Sequence, residues 1–288
     1  MNEKFSIITA SYNYQDYIKE TIESVINQTY ANWEMIIVDD GSKDNSVEVI
    51  KSYCQKDERI KLFQHENGVN KGLVETIKLA IQKTSSQWIV FLESDDIITP
   101  EYLEKKLNII ENNAEVGFIF NDVEFFGDEK AINDFDGICK IQEEVLKDKT
   151  FITVKDFEKI NPVKTFSCVA IKKELLENID FNTPVKQWVD YYLWMQVASK
   201  CKLYYIEEKL TKWRMHKNSY NNSKIPDKDG LMFKIKKTEF LNPEMPKFLI
   251  YIKLFPNILK YLKRRILRIS FKEKSVTIFG KEFKKNSL

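Results

Sequence analysis

Four short apolar runs in the first hundred residues constrain this chain more than anything else in it: KFSIITAS, WEMIIVDDGS, RIKLFQHE and QWIVFLE. None alternates apolar with polar residues along its whole length, as a strand with one wet face would. Between them lie stretches of helical period. In YQDYIKETIESVINQTY, residues Tyr17, Ile18, Ile22, Val25 and Ile26 share one face. SVEVIKSYCQ follows with Asp44 or Asn45 as its cap, then GLVETIKLAIQKTS. Strands that need cover on both faces, alternating with amphipathic helices, predict an α/β fold with a mostly parallel sheet flanked by helices.

In such a sheet, ligands bind beyond the carboxyl ends of the strands. Three segments fall there: TASYN, the pair Asp39-Asp40, and Glu93-Ser94-Asp95-Asp96. Side by side, these carboxylates would raise one another's pKa unless a cation relieved them. A hard divalent ion held by oxygen ligands and substrate phosphates is the simplest remedy. Taken singly, each cluster also reads as turn or cap chemistry, Asp-Asp-Gly-Ser for a turn and Asp95-Asp96 for a helix start near Pro100. Two clusters at the ends of two buried strands point to a site.

Composition removes several rivals. Glycine numbers 8 of 288 residues, and no GxGxxG or GxxxxGK[ST] follows a strand, which argues against a Rossmann dehydrogenase or a P-loop NTPase. Only His65 and His216 are present, so a three-histidine metal site is excluded. The four cysteines, 54, 139, 168 and 201, form no CxxC pair. With no signal peptide before Phe5, reduced thiols in the cytoplasm are expected.

Beyond residue 100 the pattern loosens. PEYLEKKLNIIENN reads as a helix, VGFIFNDVEFF as a strand, and residues 127–165 stay ambiguous. KQWVDYYLWMQVASK reads as an aromatic-rich helix, CKLYYIEEKLTKWRMH as an extended pair of strands, and NNSKIPDKDG as a linker. Trp188, Tyr191, Tyr192 and Trp194 are sugar-stacking candidates, with one or two of them expected in the core. Charge is divided: residues 1–230 hold 30 Lys+Arg and 39 Asp+Glu, whereas residues 231–288 hold 15 and 4. The tail FLIYIKLFPNILKYLKRRILRISFK mixes apolar and basic residues but never reaches a bilayer-spanning length. It reads as a surface element for an anionic membrane, or as a helical hairpin packed on the acidic body. No nucleic-acid-binding module is recognisable.

FSIITASYNYQDYIKETIESVINQTYANWEMIIVDDGSKDNS resembles the start of GT-A glycosyltransferases of family 2, whose text approaches S-x-I-x-P-x-Y-N, S-x-x-x-Q-x-Y and V-D-D-G-S-x-D. FLESDDIITPEYLE is similar to that family's L-D-S-D-D-x-x-x-P, WVDYYLW to its E-D-Y-D-L-W helix, and RMHKNS to its R-x-H-x-x-S element. The resemblance runs in order from about residue 4 to about residue 222. It implies a GT-A (Rossmann-like) domain with a nucleotide-sugar half over 1–100 and an acceptor half over 101–222, followed by a basic helical extension over 223–288. It also implies roles. Ala10, Ser11 and Tyr12 would line the nucleobase pocket, Asp39 would accept from the uracil N3–H, Lys71 would meet the diphosphate and Glu93 would face the ribose. Asp95, Asp96 and His216 would hold Mg²⁺ or Mn²⁺, and Asp190 would be the general base. For Asp190 the alternative is a solvated helix acid; for His216 it is a hydrogen-bonded residue at a strand end.

Three positions depart from the pattern: Ala10 stands for proline, Glu93 for the first Asp and Val189 for Glu. Glutamate at 93 carries its carboxylate about 1.5 Å further out. The implied reaction is inverting, metal-assisted transfer from a nucleoside-diphosphate sugar, UDP-linked by expectation, to a hydroxyl of a glycan or lipid-linked acceptor at the inner face of the cytoplasmic membrane. A sugar nucleotidyltransferase would want a glycine-rich basic loop where TASYNYQDY stands. A catalytically silent sugar-nucleotide-binding scaffold remains the rival from another class.

Overall fold

The computed structural model describes residues 3–216, 227–262, 275–278 and 281–284. It divides into two compact units, one within residues 3–182 and 188–216, the other within 183–187 and from 227 onward. The first unit opens with β1 (Phe5–Ser11), α1 (Ile18–Ile26), β2 (Trp33–Asp39), α2 (Ser46–Cys54), β3 (Ile60–Gln64), α3 (Leu73–Lys83) and β4 (Trp88–Phe91). β1 lies between β2 and β4 and runs parallel to both, in register from Phe5–Trp33 to Ser11–Asp39 and from Phe5–Trp88 to Ile8–Phe91. β3 extends the parallel set beside β2. Every residue of β2 and β4 is buried, which is why neither alternates.

Then come β5 (Ile97–Ile98), α4 (Tyr102–Asn112), β6 (Phe118–Gly127), α5 (Glu129–Leu146), β7 (Phe151–Ile152), β8 (Val169–Lys172), α6 (Val189–Ala198) and β9 (Leu203–Met215). The sheet order is β3-β2-β1-β4-β8-β6-β9-β5, with β7 also paired to β9. β8 runs antiparallel to both β4 and β6, so the second half of the sheet is mixed while the first is parallel. The ambiguous stretch contains an eighteen-residue helix, α5, begun by Asp128, whose side chain accepts from the Ala131 N–H. Its polar composition hid its period.

The expected strand pair at 201–216 is one strand. β9 runs parallel to β6, but its register shifts at Asn121/Asp122 and Asp122/Val123, where β9 holds extra residues. Such bulges bend a strand. β9 therefore pairs with β7 at its start and with β5 at its end, and its last residues arrive beside the loop that follows β4.

The second unit holds α7 (Asp227–Leu241), α8 (Lys247–Lys253) and an antiparallel pair, β10 (Ser275–Ile278) with β11 (Lys281–Lys284). Ile235, Ile250 and Leu254 form its small core, with Leu231 and Met245 against it. Among the described residues no helix is long and apolar enough to cross a membrane. Most of the NNSKIPDKDG linker, the end of RMHKNS and the basic run after residue 262 lie outside the described residues.

Candidate active site

The turn after β2 is built by its own acids. Asp39 is fully buried, and its carboxylate accepts from the backbone N–H groups of Gly41 and Ser42 at 3.1 Å each, from the Ser42 hydroxyl, and from Gln64 Nε2 at 3.3 Å. Gly41 has φ of +80°, and a Cβ there would lie 2.7 Å from the Gly68 carbonyl oxygen. Asp40 faces the other way. Its carboxylate accepts from Lys71 N at 2.7 Å and Gly72 N at 2.9 Å, satisfying donors at the start of α3. His65 Nε2 lies 3.4 Å from the same group.

The loop after β4 is gripped from the far half of the sequence. The short turn Phe166–Cys168 and its cap Thr165 supply the grip. Thr165 donates its hydroxyl to Glu93, and the Glu93 N–H donates to Ser167 Oγ at 2.9 Å. Ser167 Oγ donates to Asp96 Oδ2 at 2.6 Å, and the Arg214 N–H donates to Asp96 Oδ1 at 2.9 Å. Arg214 also donates from Nε to the Asp95 carbonyl oxygen at 2.8 Å and from Nη2 to Glu20 at 2.7 Å. The end of β9 thereby fixes His216, whose Nε2 lies 2.9 Å from Asp95 Oδ2. The rings of Tyr17 and Tyr14 flank the imidazole, with centroids at 5.1 and 6.1 Å.

These acids feel one another. Burial, then the Asp95 charge, pushes Glu93 upward, and the nearby Asp190 charge adds to this. Burial with Asp95 and Glu93 holds Asp96 well above the carboxylate range. Asp190 is half-buried at the start of α6, and desolvation raises its pKa to about 7. Asn161 Nδ2 opposes that rise by donating to Asp190 Oδ2 at 3.0 Å.

Beside this cluster opens a cavity of about 470 Å³, within the size range of small-ligand pockets. Its polar rim includes Ser11, Tyr12, Asp40, Asn70, Glu93 and Asp95; Ile8, Ala10, Leu73, Ile77, Phe91 and Phe166 give it an apolar floor. Ser11 is 1% exposed, and among the described residues its Oγ has no hydrogen-bond partner. A buried hydroxyl so placed can bond a ligand or a water.

Of the expected site residues, Ala10, Ser11, Tyr12, Glu93 and Asp95 line the cavity, and His216 is bonded to Asp95. Asp39 is closed into its turn and Asp96 faces inward to Ser167 and Arg214. Lys71 contributes its backbone N–H to Asp40 while its side chain is exposed. Trp194 and Tyr192 are core residues, Trp194 packing edge-on against Phe91, Phe118 and Phe166. Of the two caps expected, Asn45 holds the N-cap position of α2 but its side chain makes no capping bond, while the preceding Asp44 accepts from the Ser46 N–H at 3.0 Å. Sequence reasoning missed Arg214, Asn161 and the Thr165–Ser167 turn. Arg214 had a signal, as the first residue of RMHKNS; the others lay in a polar stretch without period.

The donor set suits a divalent ion in kind: a carboxylate on Asp95, an imidazole on His216, and on that imidazole a buried Nδ1 without a hydrogen-bond partner among the described residues. Among the described residues no group of three or more His, Cys, Asp or Glu side chains is arranged to hold a metal.

A parallel half-sheet with its acids and cavity at the strand ends, joined to a mixed half whose 165–168 turn and last strand tie down the acid loop, has the architecture of the GT-A class. Residues 6–180 match the family described as Glycosyl transferase family 2, and the chain belongs to that family. It is 30% identical over 235 residues to a Methanocaldococcus jannaschii glycosyltransferase, MJ1057, covering 81% of this chain and 74% of that one. It is 29% identical over 224 residues to the Escherichia coli UDP-Glc:alpha-D-GlcNAc-diphosphoundecaprenol beta-1,3-glucosyltransferase WfgD, covering 77% and 81%. Among solved structures, S. aureus TarS 1–349 in complex with UDP-GlcNAc superposes with a TM-score of 0.68 over 86% of this chain and 69% of that one. At 17% identity the likeness to TarS is one of fold.

Proposed function

We propose that this family 2 glycosyltransferase moves a sugar from a UDP-sugar to a hydroxyl of a lipid-linked glycan, with inversion, during cell-surface polysaccharide assembly. The observation that carries the reading is the meeting of Glu93, Asp95 and His216 beside the cavity, with the Asp190 charge felt at Glu93. The donor's nucleoside would occupy the cavity against Ser11 and Tyr12, with the turn closed by Asp39 shaping its wall. Glu93 would face the ribose and Lys71 the diphosphate. Asp95 and His216 would hold Mg²⁺ or Mn²⁺, with Asp96 bracing Asp95 from behind. Such an ion supplies charge neutralisation to a departing diphosphate.

Asp190 would take the acceptor proton as the hydroxyl oxygen attacks the anomeric carbon. A carboxyl with a pKa near 7 is well matched to that work, because it is both available and basic at neutral pH. No second carboxyl is needed to protonate the leaving group, since a nucleoside diphosphate leaves as an anion. In this reading residues 1–100 form the donor half and 101–222 the acceptor half, and 223–288 keep the enzyme at the inner face of the cytoplasmic membrane. The names of WfgD and TarS, with UDP-linked donors and, in WfgD, a polyprenol-linked acceptor, support it.

The test is UDP release over a panel of sugar nucleotides, with and without chelator, for wild type and Asp190→Asn. We expect release that a chelator abolishes, and a loss of roughly 10²–10⁴-fold in the variant. Undiminished turnover by Asp190→Asn would remove Asp190 as base. A protein that binds UDP but releases none from any donor would be a silent binding protein.

A further inference from the structure

The second unit carries an apolar comb that faces solvent. Phe248, Ile252, Phe255, Leu259 and Leu262 are spaced alternately by four and three residues, and they are 63%, 63%, 55%, 39% and 44% exposed. Within each of the two helical stretches they occupy, this spacing places them on one side. Helix runs over α8 and again over 255–262, with a turn at Leu254. The other side is already used: Ile250 and Leu254 are buried in the unit's core with Ile235. The comb is therefore surplus to folding. Lys247, Lys253 and Lys260 are exposed along the same segment, and no acidic residue stands between Glu244 and Glu273.

Two occupants from outside the chain could cover such a comb, a second copy or a lipid surface. A second copy would set these lysines against their own kind with no carboxylate to pair them, and like charges flanking a seam oppose it. Pro256 and the turn before it also break the straight helix that a seam requires. Anionic headgroups supply the missing counter-charge, and the interfacial layer accepts an apolar face. We infer that the comb lies in the plane of an anionic bilayer, with Phe248, Ile252 and Phe255 below the headgroups and the lysines among them. The sequence continues the same spacing at Ile266 and Ile269 and adds Lys263, Arg264, Arg265 and Arg268. The inference deepens the membrane placement proposed above and rests on it for the choice of partner.

The test is co-sedimentation of the full chain with phosphatidylglycerol/phosphatidylcholine vesicles and with pure phosphatidylcholine vesicles, at low and high salt. No sugar donor is present, so failure here and failure of the transferase reading are separate results. We expect binding to the anionic vesicles, about tenfold or more weaker on pure phosphatidylcholine, and weakened by salt. Ile252→Glu/Phe255→Glu should lose binding about tenfold or more with thermal stability and UDP release unchanged, since both positions are exposed. Lys253→Glu/Lys260→Glu should lose the preference for anionic vesicles while keeping the comb. Undiminished binding by Ile252→Glu/Phe255→Glu would overturn the inference. So would a concentration-dependent dimer that this variant dissolves, which would assign the comb to a second copy.

Discussion

Asp190 shows how one side chain can be tuned from both sides. Desolvation lifts its carboxyl to about 7, and the amide of Asn161, 3.0 Å away, favours the charged form. In the base role proposed for it Asp190 must be deprotonated, so transfer should rise with pH and level off above about 7. Replacing Asn161 by Leu removes a bond worth about 1 kcal/mol, which is about 0.7 of a pH unit. The acid limb of the kcat/KM profile should move upward by about that amount, and a limb that stays in place would make Asn161 a structural residue only. At this scale the sequence disclosed which residues were acidic but not what each acid does. Asp39, Asp40, Asp95 and Asp96 look alike in the text. Three of them spend their oxygens on loop donors, because backbone N–H groups of residues 41, 42, 71, 72 and 214 happen to converge there. Asp95 keeps an oxygen for His216.

Among the elements, the turn after β2 constrains the site closely. Gly41 sits at φ +80° with the Gly68 carbonyl and the Asn70 N–H pressed against the position a Cβ would take, at 2.7 and 3.0 Å. Asn70 lines the cavity, so a shift in this contact reaches the proposed donor pocket. Gly41→Ala should destabilise the protein by about 1–3 kcal/mol. It should also raise KM for the donor more than it lowers kcat, as thermal unfolding and donor titration would show. Unchanged KM would mean that the turn does not shape the pocket. The first four strands and their helices were legible because runs of consecutive apolar residues and the 3.6-residue helical period are local properties of the chain. β5 and β7, two residues each, and the bend of β9 were not: a two-residue strand has no period, and a bulge exists only against a partner strand.

Among the described residues, several buried ionisable side chains lie outside the site, Lys106 among them. Lys106 on α4 is fully buried, with Nζ donating to the Cys168 carbonyl at 3.0 Å and lying 4.4 Å from the Tyr102 ring centroid. Burial lowers its pKa to about 7 from the ordinary 10.5. Above about 7 the unfolded chain still binds this proton while the folded one has released it. The lysine's contribution therefore improves as pH rises from about 7 toward 10.5, by up to about 1.4 kcal/mol per unit. Lys106→Met lacks that dependence, so the stability of wild type relative to the variant should climb between pH 7 and 9 in urea unfolding. A constant difference would show that the amine is not neutral in the fold.

The order of apolar runs, the helical faces between them and the acids that end two strands fixed the parallel half-sheet and the position of the site, because each is written in residues close together along the chain. Charge composition likewise divided an acidic body from a basic tail. Which acids stay available and which become ties was decided by donors far away in sequence: Thr165 and Ser167 some seventy residues from the Glu93–Asp96 loop, and Arg214 and His216 about 120. A carboxylate's role depends on the donors that surround it in space, and only the bent β9 and the 165–168 turn bring those donors together.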